Sequence, residues 1–210
     1  MPPSQPGFST RERILGVAET LFAQHGFAGA SLRQVTAAAK VNLAAVNYHF
    51  GSKENLIEEV FRRRLDQLNR QRLEALAHAR SLPNRQLEHV LDAFIRPALG
   101  QSMDDAGGAA FVRVLARAYA EHDERLRRFL SDNYGHVLRE FAKAISACVP
   151  GLSKEDLYWR LDFLSGALTY AMADFGLIKR PAGVSESTHR QRAAKALIRF
   201  ASAGFHADAS

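Results

Sequence analysis

The chain has 210 residues and only one cysteine, Cys148. That excludes an intramolecular disulfide and suits a reducing cytoplasm. No apolar run reaches the length of a bilayer, and the first residues offer no apolar signal core. Residues 1–8, bearing Pro, Ser and Gln, read as a flexible arm. No alternation of strand type competes with helical spacing, and no repeat or low-complexity segment is present. Catalytic motifs are missing too. There is no Gly-rich phosphate loop, no His-Glu-x-x-His and no Gly-x-Ser-x-Gly. Cys148 stands beside Pro150 at an apolar helix end, a poor place for an activated thiolate. The 8 histidines are scattered without ligand spacing. Neither an enzyme, a cofactor nor a metal centre is expected.

What is present is a basic, helical chain. The formal net charge is +6, which fits a polyanionic partner without establishing one. Residues 1–55 carry Arg11, Arg13, Arg33, Lys40 and Lys53 against Glu12, Glu19 and Glu54. Arg62, Arg63 and Arg64 are a second source of steering charge, or else an ordinary solvated face. The spacing predicts an all-α protein. A first helix starts at the capping box Ser9–Glu12, carries Ile14, Ala18, Leu21 and Phe22, and stops at Gly26. A long helix runs from Ser52 to about Ala79 with Leu56, Ile57, Val60, Phe61, Leu65, Leu68, Leu73 and Leu76 on one side. A further helix reaches about Gly100, where Pro97 should kink or end it. Helices over 109–121 and 123–148 follow, then an apolar helix capped at Ser153 and running to about Ile178, and a last one from Ser185 to Phe205.

The stretch 31–53 carries the chemistry. Ser31 and Gln34 form a capping box, and Leu32, Val35, Ala38 and Ala39 have the spacing of an inward face. Asn42 is placed to cap a second short helix whose Val46 and Phe50, one turn apart, should plug the core. That leaves Leu43, Ala44, Ala45, Asn47 and His49 on the outside, small enough for the helix to approach base edges. Two helices joined by so short a turn are the unit that lays its second helix in the DNA major groove. The alternative is an ordinary helical hairpin.

With its flanks added, the sequence resembles the TetR family of bacterial transcriptional regulators. The resemblance lies in the helix ending Ala-Gln-His-Gly-Phe at Phe27, the Ser31-Leu32-Arg33 opening, and Tyr48-His49-Phe50 followed by Lys53 and Leu56. It covers residues 9–65; beyond that only length and helical character agree. It implies a helix-turn-helix DNA-binding domain over 9–55 and a helical effector-binding and dimerisation domain over 56–206. Two departures stand out. Lys40 occupies a turn position that is often Gly in the family, so it should be left-handed or nearly so. Val46-Asn47 replaces a common Leu-Tyr. Asn47 can pair with N6 and N7 of adenine, or bond a phosphate or water. The resemblance places Lys53, the Ser31 backbone, Tyr48 and His49 at phosphates. Arg33 can reach a guanine edge or a phosphate, and Tyr48 can instead be partly core.

The resemblance also implies a homodimer through the last two helices. Leu164, Ala167, Leu168, Ala171, Ala193, Ala196, Leu197, Phe200 and Gly204 offer small residues for close approach and apolar area. A twofold dimer matches a near-palindromic operator. An effector pocket among the middle helices is expected to use Phe94, Phe111, Leu115, Tyr119, Phe129, Tyr134, Trp159, Phe163, Tyr170 and Phe175. Arg113 and Arg117 would hold an acidic ligand there or pair with Glu121 or Asp123. The run 41–53 also looks like that of family members sensing fatty acids or acyl-CoA. The expected function is a ligand-responsive regulator, a repressor by family default, released from DNA by a small hydrophobic or acidic effector. A helical protein-binding adaptor is the alternative.

Overall fold

The computed structural model describes residues 9–101, 108–121, 123–173 and 177–207, and among them the regular structure is helix only. In chain order these are α1 (Thr10–Gly29), α2 (Leu32–Ala39), α3 (Leu43–Phe50), α4 (Lys53–Ser81), α5 (Leu87–Gln101), α6 (Gly108–Glu121), α7 (Glu124–Cys148), α8 (Lys154–Met172) and α9 (Glu186–His206). Local chemistry sets most of the boundaries. Ser9, Ser31, Asn42, Ser52, Asp123, Ser153 and Ser185 each cap a helix through a side-chain oxygen that accepts from a first-turn amide. At Ser9 and Ser31 the capping box is complete in both directions. Regular helix in α1 breaks at Gly26, where φ is 72° and ψ 173°, a region in effect reserved for glycine.

Two apolar cores share the long helix α4. The first joins Ile14, Phe22 and Phe27 of α1 to Val35, Val46 and Phe50 of the short helices, and to Leu56, Val60 and Phe61 of α4. It also takes in Phe111 and Val114 of α6 and Leu126 and Phe129 of α7. The second joins Leu68 and Leu76 of α4 to the inner faces of α5, α7, α8 and α9. Leu65 packs against both. Each fully buried Leu, Ile or Phe contributes roughly 1.5–3 kcal/mol, so α4 is held from both ends and α6 and α7 brace the first three helices.

Some expectations need correction. Ala38 is exposed rather than inward. Helix α5 continues through Pro97 to Gln101; burial of Ala98 and Leu99 just beyond it outweighs one missing hydrogen bond. Helix α8 stops at Met172 rather than near Ile178, because Leu177 and Ile178 find nothing to pack on and are exposed. The arginine triplet is neither a solvated face nor free steering charge. Arg64 donates through Nε and Nη2 to both oxygens of Glu19, at 2.9 and 3.1 Å. Arg62 pairs with Glu59 and lies 5.0 Å from the centroid of the Phe129 ring. Glu19 is 2% exposed, so this pairing clamps α1 to α4. Burial is the largest influence on its carboxyl and raises the pKa, against the pull of Arg64.

Candidate nucleic-acid interface and internal cavity

The turn between α2 and α3 is built by Lys40, the one non-glycine residue with positive φ among the described residues (φ 54°, ψ 50°). Its amide donates to Ala37 and the Val41 amide to Thr36, closing α2 in the manner of a glycine C-cap with a lysine in its place. Asn42 Oδ1 then accepts from the Ala45 amide at 2.8 Å and starts α3. Val46 and Phe50 are buried, and the Arg11 guanidinium sits 5.6 Å from the centroid of the Phe50 ring. After Gly51 (φ 75°) the chain turns into α4, with Asn55 Nδ2 donating to the Phe50 carbonyl at 3.0 Å. Helix α3 is thus pinned along one side and at both ends.

Its free side presents Leu43, Ala44, Asn47 and Tyr48 to solvent, with Ala45 and His49 half-buried at the margins. Tyr48 is 85% exposed, so it is not partly core, and its ring meets His49 edge to face. Asn42 and Arg33 are exposed beside this face, and Leu32 and Lys53 are half-buried. At Ser31 both the amide and the hydroxyl donate to Gln34 Oε1, at 2.8 Å each. An anion approaching α2 therefore meets the Leu32 and Arg33 amides rather than the Ser31 donors. An exposed aromatic and amide cluster on a helix anchored this firmly is suited to docking against a rigid grooved partner.

A cavity of about 330 Å³ lies between α4, α5, α6, α7 and α8, within the range of small-molecule sites. Phe94, Phe111, Leu115 and Tyr134, read from the sequence as effector-pocket wall, are among the residues that line it. The Tyr134 hydroxyl donates to Asp66 at 2.7 Å, and burial together with that bond holds its proton well above the ordinary tyrosine range. Phe129 belongs to the first core instead. Arg113 and Arg117 point to solvent and are not part of the wall. The Tyr119 side chain and Phe175 lie outside the described residues. Missed were Asn69 and Arg72 of α4 and Ser165, Thr169 and Met172 of α8. The available signal was a pair of polar residues among the leucines of α4.

Helix α8 exchanges two sets of expected roles. Trp159, Phe163 and Tyr170, read as pocket wall, are exposed on its outer side, with Trp159 stacked on Phe163. Leu164 and Leu168, read as interface, are buried within the subunit, and Leu168 lines the cavity. The two sets lie about half a turn apart, and periodicity does not say which one faces inward. On α9, Ala196, Phe200 and Gly204 are exposed while Ala193 and Leu197 are half-buried; Ala167 and Ala171 of α8 are half-buried as well. Phe200, 73% exposed, borders a groove with Phe163 and Gly204.

Comparison with known proteins agrees at both ends of the chain. Residues 14–60 match the family profile described as "Bacterial regulatory proteins, tetR family". Residues 92–204 match "Tetracyclin repressor-like, C-terminal domain". The transcriptional repressor KstR2 of Mycolicibacterium smegmatis is 39% identical over 66 residues, 31% of this chain and 32% of that protein. The chain spans about a third or less of the length of that and two other curated relatives. Among solved structures, the TetR family regulator PfmR of Thermus thermophilus superposes with a TM-score of 0.62 at 17% identity, covering 97% of this chain and 100% of that one. A transcriptional regulator from Saccharomonospora viridis, solved in complex with choline, gives 0.60 at 19% identity, covering 90% and 95%. These two likenesses speak for the fold alone. No helix among the described residues is long and apolar enough to cross a membrane.

Proposed function

Since the chain belongs to the TetR family of bacterial regulatory proteins, we propose that it is a ligand-responsive transcriptional repressor. It binds a near-palindromic duplex operator as a homodimer and is released by a small hydrophobic or acidic effector. The observation that carries this reading is the solvent face of α3. Leu43, Ala44, Asn47 and Tyr48 stand exposed on a helix whose other side, at Val46 and Phe50, is locked into the first core. A protein-binding adaptor would have no need of so rigid a two-helix unit.

In this reading residues 9–55 are the DNA-binding unit. Asn42, Leu43, Ala44, Ala45 and Asn47 face the bases, while Leu32, Arg33, Tyr48, His49 and Lys53 lie toward the phosphates, with Ser31 capping α2 behind them. Residues 56–206 bind effector and partner subunit, and the protein acts in the cytoplasm without a cofactor. The dimer surface is the outer strip of α8 and α9, around Phe163, Phe200 and Gly204. The effector occupies the cavity, whose α4 wall continues directly into the DNA-binding unit. An effector that shifts α4 or α6 changes the spacing of two recognition helices that must bind together, so effector and operator oppose each other reciprocally.

The test is selection of duplexes from random DNA by the purified protein near physiological salt. A near-palindromic motif with half-sites about one helical turn apart is expected. Weak binding that disappears with salt and selects no motif would leave only phosphate attraction and overturn the reading.

A further inference from the structure

A chain of hydrogen bonds leads from the first turn of α7 to the end of α3. Arg125 donates through Nη2 to Asn55 Oδ1 of α4 at 2.8 Å, and Asn55 Nδ2 donates in turn to the Phe50 carbonyl at 3.0 Å. Glu58, three residues after Asn55, accepts from Arg125 Nε at 2.9 Å. A residue of the larger unit therefore reaches the last residue of the candidate recognition helix through a single intermediate side chain.

Each link has a fixed direction. A guanidinium donates and cannot accept. With Arg125 against its oxygen, Asn55 must turn its amide nitrogen toward Phe50. Glu58 holds the guanidinium from a second side, so its fork is fixed by two acceptors. The receiving carbonyl lies in the final turn of α3, where carbonyls lack intrahelical donors; its other bond is from the Ser52 amide. Between α3 and α4 stands Gly51, with φ 75°, and the Asn55 bond spans this joint. Core packing at Val46 and Phe50 sets the depth of α3. The bond across Gly51 sets the angle at which α3 meets α4.

Overall stability is a poor explanation for this arrangement. About half of the Arg125 side chain is exposed, and surface ion pairs stabilise a fold little. Orientation is what the bonds supply. Base edges are read only by side chains held in register, whereas phosphate attraction tolerates misplacement. Helix α7 also carries Leu130 and Tyr134 in the cavity wall.

We propose that Arg125 is a positioning residue for the recognition helix: held by Glu58, it orients Asn55 and so fixes the angle between α3 and α4 across Gly51. This rests on the reading of α3 as the recognition helix, and it adds a residue from outside the DNA-binding unit.

The experiment uses the full chain and its Arg125→Lys, Asn55→Ala and Arg125→Lys/Asn55→Ala variants. Each is titrated with the selected operator duplex and with a random-sequence duplex of equal length, and thermal melts are recorded. Lysine keeps the charge but not the fork. Arg125→Lys should lose roughly tenfold in operator affinity, the scale of one hydrogen bond to a charged group. Its affinity for the random duplex and its melting temperature should be unchanged. The double variant should lose no more than Asn55→Ala alone, because the two residues act in series. Without DNA, hydrogen exchange of the Gly51 amide, which is bonded to the Asn47 carbonyl, should quicken in Arg125→Lys while amides of α1 keep their rates.

Four results each overturn the proposal. Unchanged operator affinity in Arg125→Lys would show that charge alone suffices, as at a phosphate. Equal losses on operator and random duplex would make Arg125 a direct phosphate contact. Additive losses in the double variant would separate it from Asn55. Unchanged exchange at Gly51 would show that it does not hold the end of α3. Failure of the unaltered protein to select any operator removes the regulator reading instead, and exchange at Gly51 then decides alone whether Arg125 fixes α3.

Discussion

The Phe27 amide donates to the carboxylate of Glu121, with oxygens at 3.1 and 3.2 Å. It does so just after the break in α1, so the end of α6 is tied to the first helix at its non-helical residue. A Cβ built on Gly26 would lie 2.4 Å from Glu121 Oε1. Helix α6 also supplies Phe111 and Leu115 to the cavity wall, so this contact links the cavity to the DNA-binding unit through a single helix. Glu121→Ala should lower stability by about 1.5–3 kcal/mol, the range for a hydrogen bond to a charged group. Gly26→Ala should cost about 1–3 kcal/mol from its backbone region alone, and more with Glu121 present. Urea denaturation of both single variants and the double variant checks this. Strict additivity would show that Glu121 does not crowd Gly26.

The recognition face and its anchor should separate cleanly. Asn47→Ala and Tyr48→Ala alter exposed side chains, so stability should stay within about 0.5 kcal/mol while operator binding weakens. Asn47→Ala should relax selection at one adenine in each half-site; uniform weakening across sequences would place Asn47 at a phosphate. Phe50→Ala, at a buried position, should instead cost about 3–5 kcal/mol. Fluorescence anisotropy on selected duplexes, paired with thermal melts, distinguishes the two behaviours.

On α8 the expected contrast is between outer and inner residues. Phe163→Glu and Phe200→Glu place charge on the exposed strip and should yield folded monomers with much weaker operator binding. Leu164→Ala, inside the subunit, should destabilise by about 2–5 kcal/mol. Sedimentation velocity and circular dichroism report on each. A dimer that persists in Phe163→Glu/Phe200→Glu would rule out this strip as the interface.

Glu88 of α5 accepts from the Ser202 hydroxyl of α9 at 2.6 Å. That bond is the main reason its pKa is lowered from 4.5. A lowered folded-state pKa stabilises the fold above pH 4.5, and that contribution is lost as the pH falls through the folded-state value. Ser202→Ala should therefore lower stability near neutral pH by less than about 1 kcal/mol, since the carboxylate is largely solvated. The difference from the unaltered protein should vanish in acid. Carbon-detected NMR titration of Glu88 should show its pKa rising in the variant.

Legibility followed the range of the interactions. The capping boxes at Ser9 and Ser31, the Asn42 cap and the inward pair Val46 and Phe50 all depend on residues within four positions of each other. The left-handed Lys40, by contrast, is expected only from the resemblance to the family, which often has Gly there. The local signals are readable without the fold and leave Asn47 on the outer face, while the exposure of Tyr48, left open by the sequence, is decided by the fold. The same reading fails on α8, where Trp159, Phe163 and Tyr170 change places with Leu164 and Leu168. Aromatic size and helical spacing identify two faces, but which one turns inward depends on where α4, α5 and α9 already stand.

Local sequence thus determined the helices, their caps and the candidate recognition face, because 3.6-residue periodicity and first-turn hydrogen bonds act along the chain. Tertiary packing alone decided the rest. It set Glu19 against Arg64 from 45 residues away, bound Glu121 to Phe27 across 94, and enclosed Asn69 in a cavity assembled from several helices. Contacts of that separation are selected by the shape and volume of the whole core, which no local pattern encodes.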